Sequence, residues 1–191
     1  MEQHDLYGLP LEQFTEQRNA LARELRTGGR RDEAAAQLDS LAGSEFEDLP
    51  RDTSWPICMT LLTPVCAALG DRQRAAMLHR LLLPFANRTV VAGPPPAGCY
   101  GPAAHYLGVL AGTMGRTDEA EADFLLAIQL SESMGAPAFL AHAQCEYGGL
   151  LVALPDRQDE GRELLERAET SALALGFSRL ARRARAFATS N

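Results

Sequence analysis

Leu107-Gly108-Val109-Leu110-Ala111-Gly112-Thr113-Met114-Gly115-Arg116-Thr117-Asp118-Glu119-Ala120-Glu121-Ala122-Asp123-Phe124 is the stretch whose reading decides the fold. Leu107, Leu110, Ala111 and Met114 recur at helical spacing. Gly115 then stops that helix, because it accepts the left-handed conformation common just past a helix end. Thr117 or Asp118 can cap a second helix and suit its positive end. Ala120 is small enough for the two helices to cross closely, and Phe124, Ala127, Ile128 and Leu130 continue an apolar stripe. The whole stretch predicts a helix-turn-helix hairpin that cannot bury its apolar face alone.

The same turn recurs along the chain. Gly29-Arg30-Arg31-Asp32-Glu33-Ala34 and Gly70-Asp71-Arg72-Gln73-Arg74-Ala75 precede it. Pro155-Asp156-Arg157-Gln158-Asp159-Glu160-Gly161 follows it with one extra residue. The small residues Ala34, Ala75, Ala120 and Gly161 lie 41 to 45 positions apart, a spacing within the range of helical repeats. Helices are expected at roughly 11–27, 31–42, 53–69, 71–86, 101–114, 117–134, 137–153, 158–175 and 177–188. The last carries Phe177, Leu180, Ala181, Ala184 and Phe187 on one face, with arginines opposite. That is the form of a terminal cap. Gly43–Arg51 reads as a linker. Asn87–Gly98 reads as a connector with an extended path through Pro94-Pro95-Pro96, or as a loop folded over one face.

Composition agrees with an all-α chain. Of 191 residues, 46% are hydrophobic, enough for a buried core. Ala, Leu, Glu and Arg dominate, and they lose little side-chain freedom in helices. The net charge of -7 argues against a generic nucleic-acid binder. The cluster Arg179, Arg182, Arg183 and Arg185 suits the negative end of a helix. Met1–Asp5 is acidic without an apolar core, so no signal peptide is expected. No uncharged run is long enough to span a membrane, and a cytoplasmic location is expected.

The hairpins resemble the tetratricopeptide repeat, whose pattern is W-x2-L-G-x2-Y followed by A-x3-F. Leu107-Gly108 and Ala120-x3-Phe124 match at the right offsets, while Ala104 and Ala111 replace the Trp and Tyr. Gly148, Leu165 and Ala168 match in the last hairpin. The resemblance implies a right-handed superhelix of stacked antiparallel helix hairpins with a C-terminal capping helix. Leu49-Pro50-Arg51-Asp52, Trp55, Leu81-Leu82-Leu83-Pro84-Phe85 and Cys99-Tyr100-Gly101 look like the C-terminal helical-repeat region of large bacterial ATPase-type transcriptional regulators and adenylate cyclases. Here that region would stand alone. Residues 1–43 read as an N-terminal helical hairpin, and residues 44–191 as the repeats with their cap.

The chain contains no lysine, so a phosphate loop of the Gly-Lys type is impossible. Gly-x-Ser-x-Gly and His-Glu-x-x-His are also absent. No catalytic residue, cofactor or metal is therefore expected. His142 and Cys145 share a helix face, and His105 is the obvious third ligand, but packing is the preferred reading. Cys58, Cys66, Cys99 and Cys145 form no Cys-x-x-Cys pair.

The expected function is a non-catalytic protein-protein interaction module with a regulatory role, the alternative being a small-molecule effector sensor of a bacterial regulatory system. The resemblance maps Thr60, His105, Val109, His142, Cys145 and Gly149 onto a concave groove, joined by Asn19 and Arg23 if the first hairpin stacks. Thr60 and Pro64 stand where a carboxylate clamp would begin, so a helix or extended apolar segment is the expected partner. The expected partners are thus a protein or peptide, with a small-molecule effector as the alternative, no nucleic acid and no membrane. Self-association into a homodimer is left open.

Overall fold

The computed structural model describes residues 31–42, 46, 51–52, 54–93 and 98–189. Among them are eight α-helices: α1 (Arg31–Ala42), α2 (Trp55–Leu69), α3 (Arg72–Leu82), α4 (Ala103–Met114), α5 (Thr117–Ser133), α6 (Pro137–Val152), α7 (Gln158–Ala174) and α8 (Ser178–Thr189). One short antiparallel pair, β1 (Thr89–Ala92) and β2 (Gly98–Pro102), lies between α3 and α4. The expected first helix at 11–27, with Asn19 and Arg23, falls outside the described residues.

The turns between paired helices use the expected chemistry in part. Gly70 and Gly115 adopt left-handed φ of 67° and 77° and close α2 and α4, where a side chain at either position would be strained. Asp71 caps α3 by accepting from the Arg74 backbone N–H at 3.0 Å. Thr117 does not act as a cap. It is already the first helical residue of α5, and the preceding Arg116 offers no capping side chain. Pro56 and Pro137 occupy the first turns of α2 and α6, where a missing N–H costs nothing. Within α2, Pro64 removes a backbone donor, while the Thr60 and Thr63 hydroxyls donate to the Ile57 and Met59 carbonyls.

Small residues set the crossings. Ala75 and Ala120 are fully buried. A Cβ added at Gly108 would sit 2.7 Å from the Phe124 ring, and one at Gly161 would sit 2.8 Å from the Val152 backbone nitrogen. At such crossings the helices approach until backbone and ring touch, so a larger residue must push the elements apart. α4 packs on α5, α6 on both α5 and α7, and α8 on both α7 and α6.

One core joins α1–α4 and the β-hairpin around Leu38, Ile57, Met59, Leu78, Leu82 and Leu107. Trp55 is buried there against Phe85 at 5.7 Å, with Arg51 stacked 4.7 Å over its ring. A second core joins α6, α7 and α8 through Ala141, Cys145, Leu165, Ala168, Leu180 and Ala184. Phe124, Tyr147 and Leu151 form a third between them.

Two expectations are corrected. The connector after residue 87 is a β-hairpin, not a plain extended path. Val90 and Ala92 alternate inward onto the core, and a bulge between Val90 and Val91 accommodates the extra residue Tyr100. The Phe177 ring also leaves the apolar stripe of the last helix. Leu180, Ala181 and Ala184 are buried, whereas Phe177 is 41% exposed because it precedes α8 in the turn after Gly176.

Candidate functional site

The site grows from two neighbouring helices, α4 and α6. His105 lies in the first turn of α4, and His142 lies in the second turn of α6. Their rings stand 6.3 Å apart, edge to face. Tyr106 packs against His105 at 5.1 Å, and Phe124 of α5 lies 6.3 Å away. Phe177 extends the aromatic row beyond His142 at 6.4 Å. The Tyr106 hydroxyl donates to the Tyr100 carbonyl at 2.7 Å, fastening the β-hairpin to the start of α4.

Burial gives the two imidazoles different characters. His105 is half-buried, and its Nδ1 is fully enclosed with no hydrogen-bond partner. Burial pushes its pKa down to about 4, against the opposing pull of Glu146, so the ring is neutral at pH 7. A neutral ring holds one donor and one acceptor nitrogen, and an unpaired buried nitrogen costs free energy. The outer part of His142 is exposed, yet crowding by protein around its base lowers its pKa, with Arg183 adding to the effect and Glu146 opposing it.

A charged clamp borders the pair. Arg183 of α8 meets Glu146 with its Nε 2.7 Å from Oε1, and a second guanidinium nitrogen donates to Oε2 at 2.9 Å. The same guanidinium stacks 4.8 Å over Phe187. Glu146 brings this charge to the histidine surface because it is four residues after His142 and so shares its face of α6.

The other mapped residues are not all brought to this surface. Thr60 is buried, with its hydroxyl committed to Ile57. Cys145 is buried against α7 and α8, and burial pushes its thiol up to about 12, which keeps it protonated. Val109 is half-buried beside the Phe124–Tyr147 core. Gly149 lies under Phe187, with a Cβ position only 2.9 Å from that ring, so α8 covers it. His105 and His142 alone of the mapped six stand together, joined by Phe177, Glu146 and Arg183. Arg183 was legible only as part of a basic helix end, and nothing in local spacing paired it with Glu146, 37 residues earlier.

Neighbouring polar contacts tie hairpins together. Tyr147 donates to Glu121 at 2.7 Å, and Arg157 donates to the other Glu121 oxygen at 2.6 Å. The hydrogen bonds from Arg157 and Tyr147 lower the Glu121 pKa. Among the described residues no group of three metal-ligating side chains converges, and no helix is long and apolar enough to cross a membrane. Compared with protein-family models, curated proteins and solved structures, the chain matches none.

Proposed function

We propose that this chain is a non-catalytic protein-interaction module of the tetratricopeptide type, with a regulatory role, and that its partner docks on the His105–His142–Phe177 surface. One observation carries the reading: two adjacent imidazoles, one with a buried unpaired nitrogen, lie beside an aromatic ring left 41% exposed. An aromatic anchor next to neutral hydrogen-bonding groups is the composition of an interface centre. The Glu146–Arg183 clamp fits the rim of such a surface, where charge contributes more to orientation than to affinity. The packing order, in which α4, α6 and α8 each rest on both helices of the preceding pair, supports the repeat reading.

The experiment is a calorimetric titration of the parent, His142→Ala and Phe177→Ala with the protein recovered by affinity capture. Both residues are exposed, so neither substitution should alter the melting temperature. Each is expected to weaken binding by about 1–3 kcal/mol. Unchanged affinity in both variants would remove this surface from the interface. Thermal stabilisation by a small molecule from a ligand screen, abolished by the same substitutions, would favour an effector sensor instead.

A further inference from the structure

A recess opens on the side of α6 away from His142. Each helical residue advances about 100°, so Leu140 and Gln144, two positions before and after His142, face away from it. They form one wall of a groove of about 490 Å3 between α6 and α7. That volume falls within the roughly 300–1,000 Å3 typical of ligand sites.

The polar groups in this groove are unusually idle. Gln144 is only 2% exposed, yet its amide makes no hydrogen bond among the described residues. Elsewhere in the helices, hydroxyls of Thr60, Thr63, Thr113, Ser131 and Thr189 bond the carbonyl three or four residues back. Thr170 and Ser171, which line the groove, make no such bond. A side chain packed to this degree, lining the groove with no partner for its amide among the described residues, is placed to meet an incoming donor–acceptor pair.

The opposite wall is one face of α7, with Glu163, Glu166 and Arg167 spaced three and four residues apart. Arg74, Arg116, Arg157, Arg162, Arg183 and Arg185 each meet a carboxylate. Arg167, Glu163 and Glu166 have no ion pair among the described residues. Two carboxylates against one guanidinium leave the rim negative.

We infer that this groove binds an extended peptide segment bearing a basic side chain. The Gln144 amide matches the C=O and N–H of one peptide unit, since a primary amide offers an acceptor and two donors. Thr170 and Ser171 serve the next polar backbone groups. Glu163 and Glu166 receive the basic side chain, and Leu140 provides a small apolar wall. Four of these lining residues, Glu163, Glu166, Arg167 and Thr170, are exposed, so the α7 wall of the groove is open to solvent. The site is separate from the His105–His142 surface, and the two can be tested apart.

The test is amide NMR of the full chain, following the Gln144 side-chain signals. The probes are two libraries of acetylated, amidated pentapeptides, one with Arg fixed at the centre and one with Glu. The Arg library should shift the Gln144 signals saturably and the Glu library should not. Glu163→Gln with Glu166→Gln should weaken the Arg library about fivefold. Gln144→Leu should weaken it about tenfold, followed at the Thr170 and Ser171 backbone amides. Because Gln144 is buried, the exposed carboxylate pair carries the test independently of any folding defect in that variant. His142→Ala should leave these shifts unchanged. No response to either library, equal response to both, or the same response to free argininamide would overturn the inference.

Discussion

At the residue scale, His105 should make stability depend on pH. The unfolded chain takes up this proton near pH 6.5, and the folded chain only near about 4. Folding therefore excludes a proton between those values. Its contribution is complete above pH 6.5 and is lost as pH falls toward 4. Urea unfolding at pH 5 and pH 8 should differ by on the order of 2 kcal/mol. His105→Gln, which cannot titrate, should reduce that difference to the part that His142, also lowered by burial, contributes, and an unchanged pH profile would show that the His105 imidazole is not desolvated. Asp52 and Glu121 also have lowered pKa values, but they act below the usual carboxylate range, outside this window. Packing makes a second residue-scale prediction. Phe124→Ala should cost about 3–5 kcal/mol, since the ring fills the space left by Gly108. Gly161→Ala has no ring that can move aside, because backbone atoms of Val152 and Gly148 sit under 3 Å from the new carbon. It should cost at least as much as Ala120→Leu, on the order of 1–3 kcal/mol. Thermal melts of the three variants check the order.

At the element scale, α8 is bound on two sides. Leu180, Ala181 and Ala184 bury against α6 and α7, and Arg183 and Arg185 reach back to Glu146 and Glu169. Removing residues 177–191 should uncover Ala141, Cys145, Leu165 and Ala168, and the truncated chain should aggregate. Size-exclusion chromatography that finds it monomeric and as stable as the parent would deny α8 the role of a cap. Glu146→Gln should be far milder, below about 1 kcal/mol, because Arg183 is largely exposed. The β-hairpin is held differently, by Val90 and Ala92 in the core and by the Tyr106–Tyr100 hydrogen bond. Phe139 also lies across Gly101, where φ is +88° and a Cβ would meet the ring at 2.7 Å. Gly101→Ala should therefore loosen the hairpin from α6, seen as faster hydrogen exchange in 89–102 with the helices unaffected.

At the scale of the whole molecule, most contacts run between adjacent elements, and among the described residues no single core joins all the helices. Stability in such an array is close to a sum of local terms and nearest-neighbour interfaces. Destabilising the end should then stay at the end. Leu180→Ala is expected to accelerate hydrogen exchange in α8 and α7 while α2 and α3 remain protected. Uniform acceleration along the chain would indicate one cooperative unit. The Glu121–Tyr147–Arg157 network joins α5, α6 and the turn before α7, so loss of protection should fade across it rather than stop sharply.

Among the described residues, periodicity determined the helices, because a 3.6-residue apolar stripe and a terminating glycine are local properties of the chain. It also located the crossings, since Ala75, Ala120 and Gly161 announce close approach by their size. The proline run Pro94-Pro95-Pro96, read as an extended connector, hid the strand pair on either side of it, and strands of four and five residues carry little periodic signal. Tertiary structure decided the site. His105 and His142 are 37 positions apart in the sequence, and only the packing of α4 beside α6 brings their rings to 6.3 Å. Packing within the first core buried Thr60, and α7 and α8 buried Cys145 and covered Gly149 with Phe187, which no repeat pattern could show. It also gave Arg183 its carboxylate and left Gln144 without a partner among the described residues, because a polar side chain's environment is set by the neighbouring helix and not by its own.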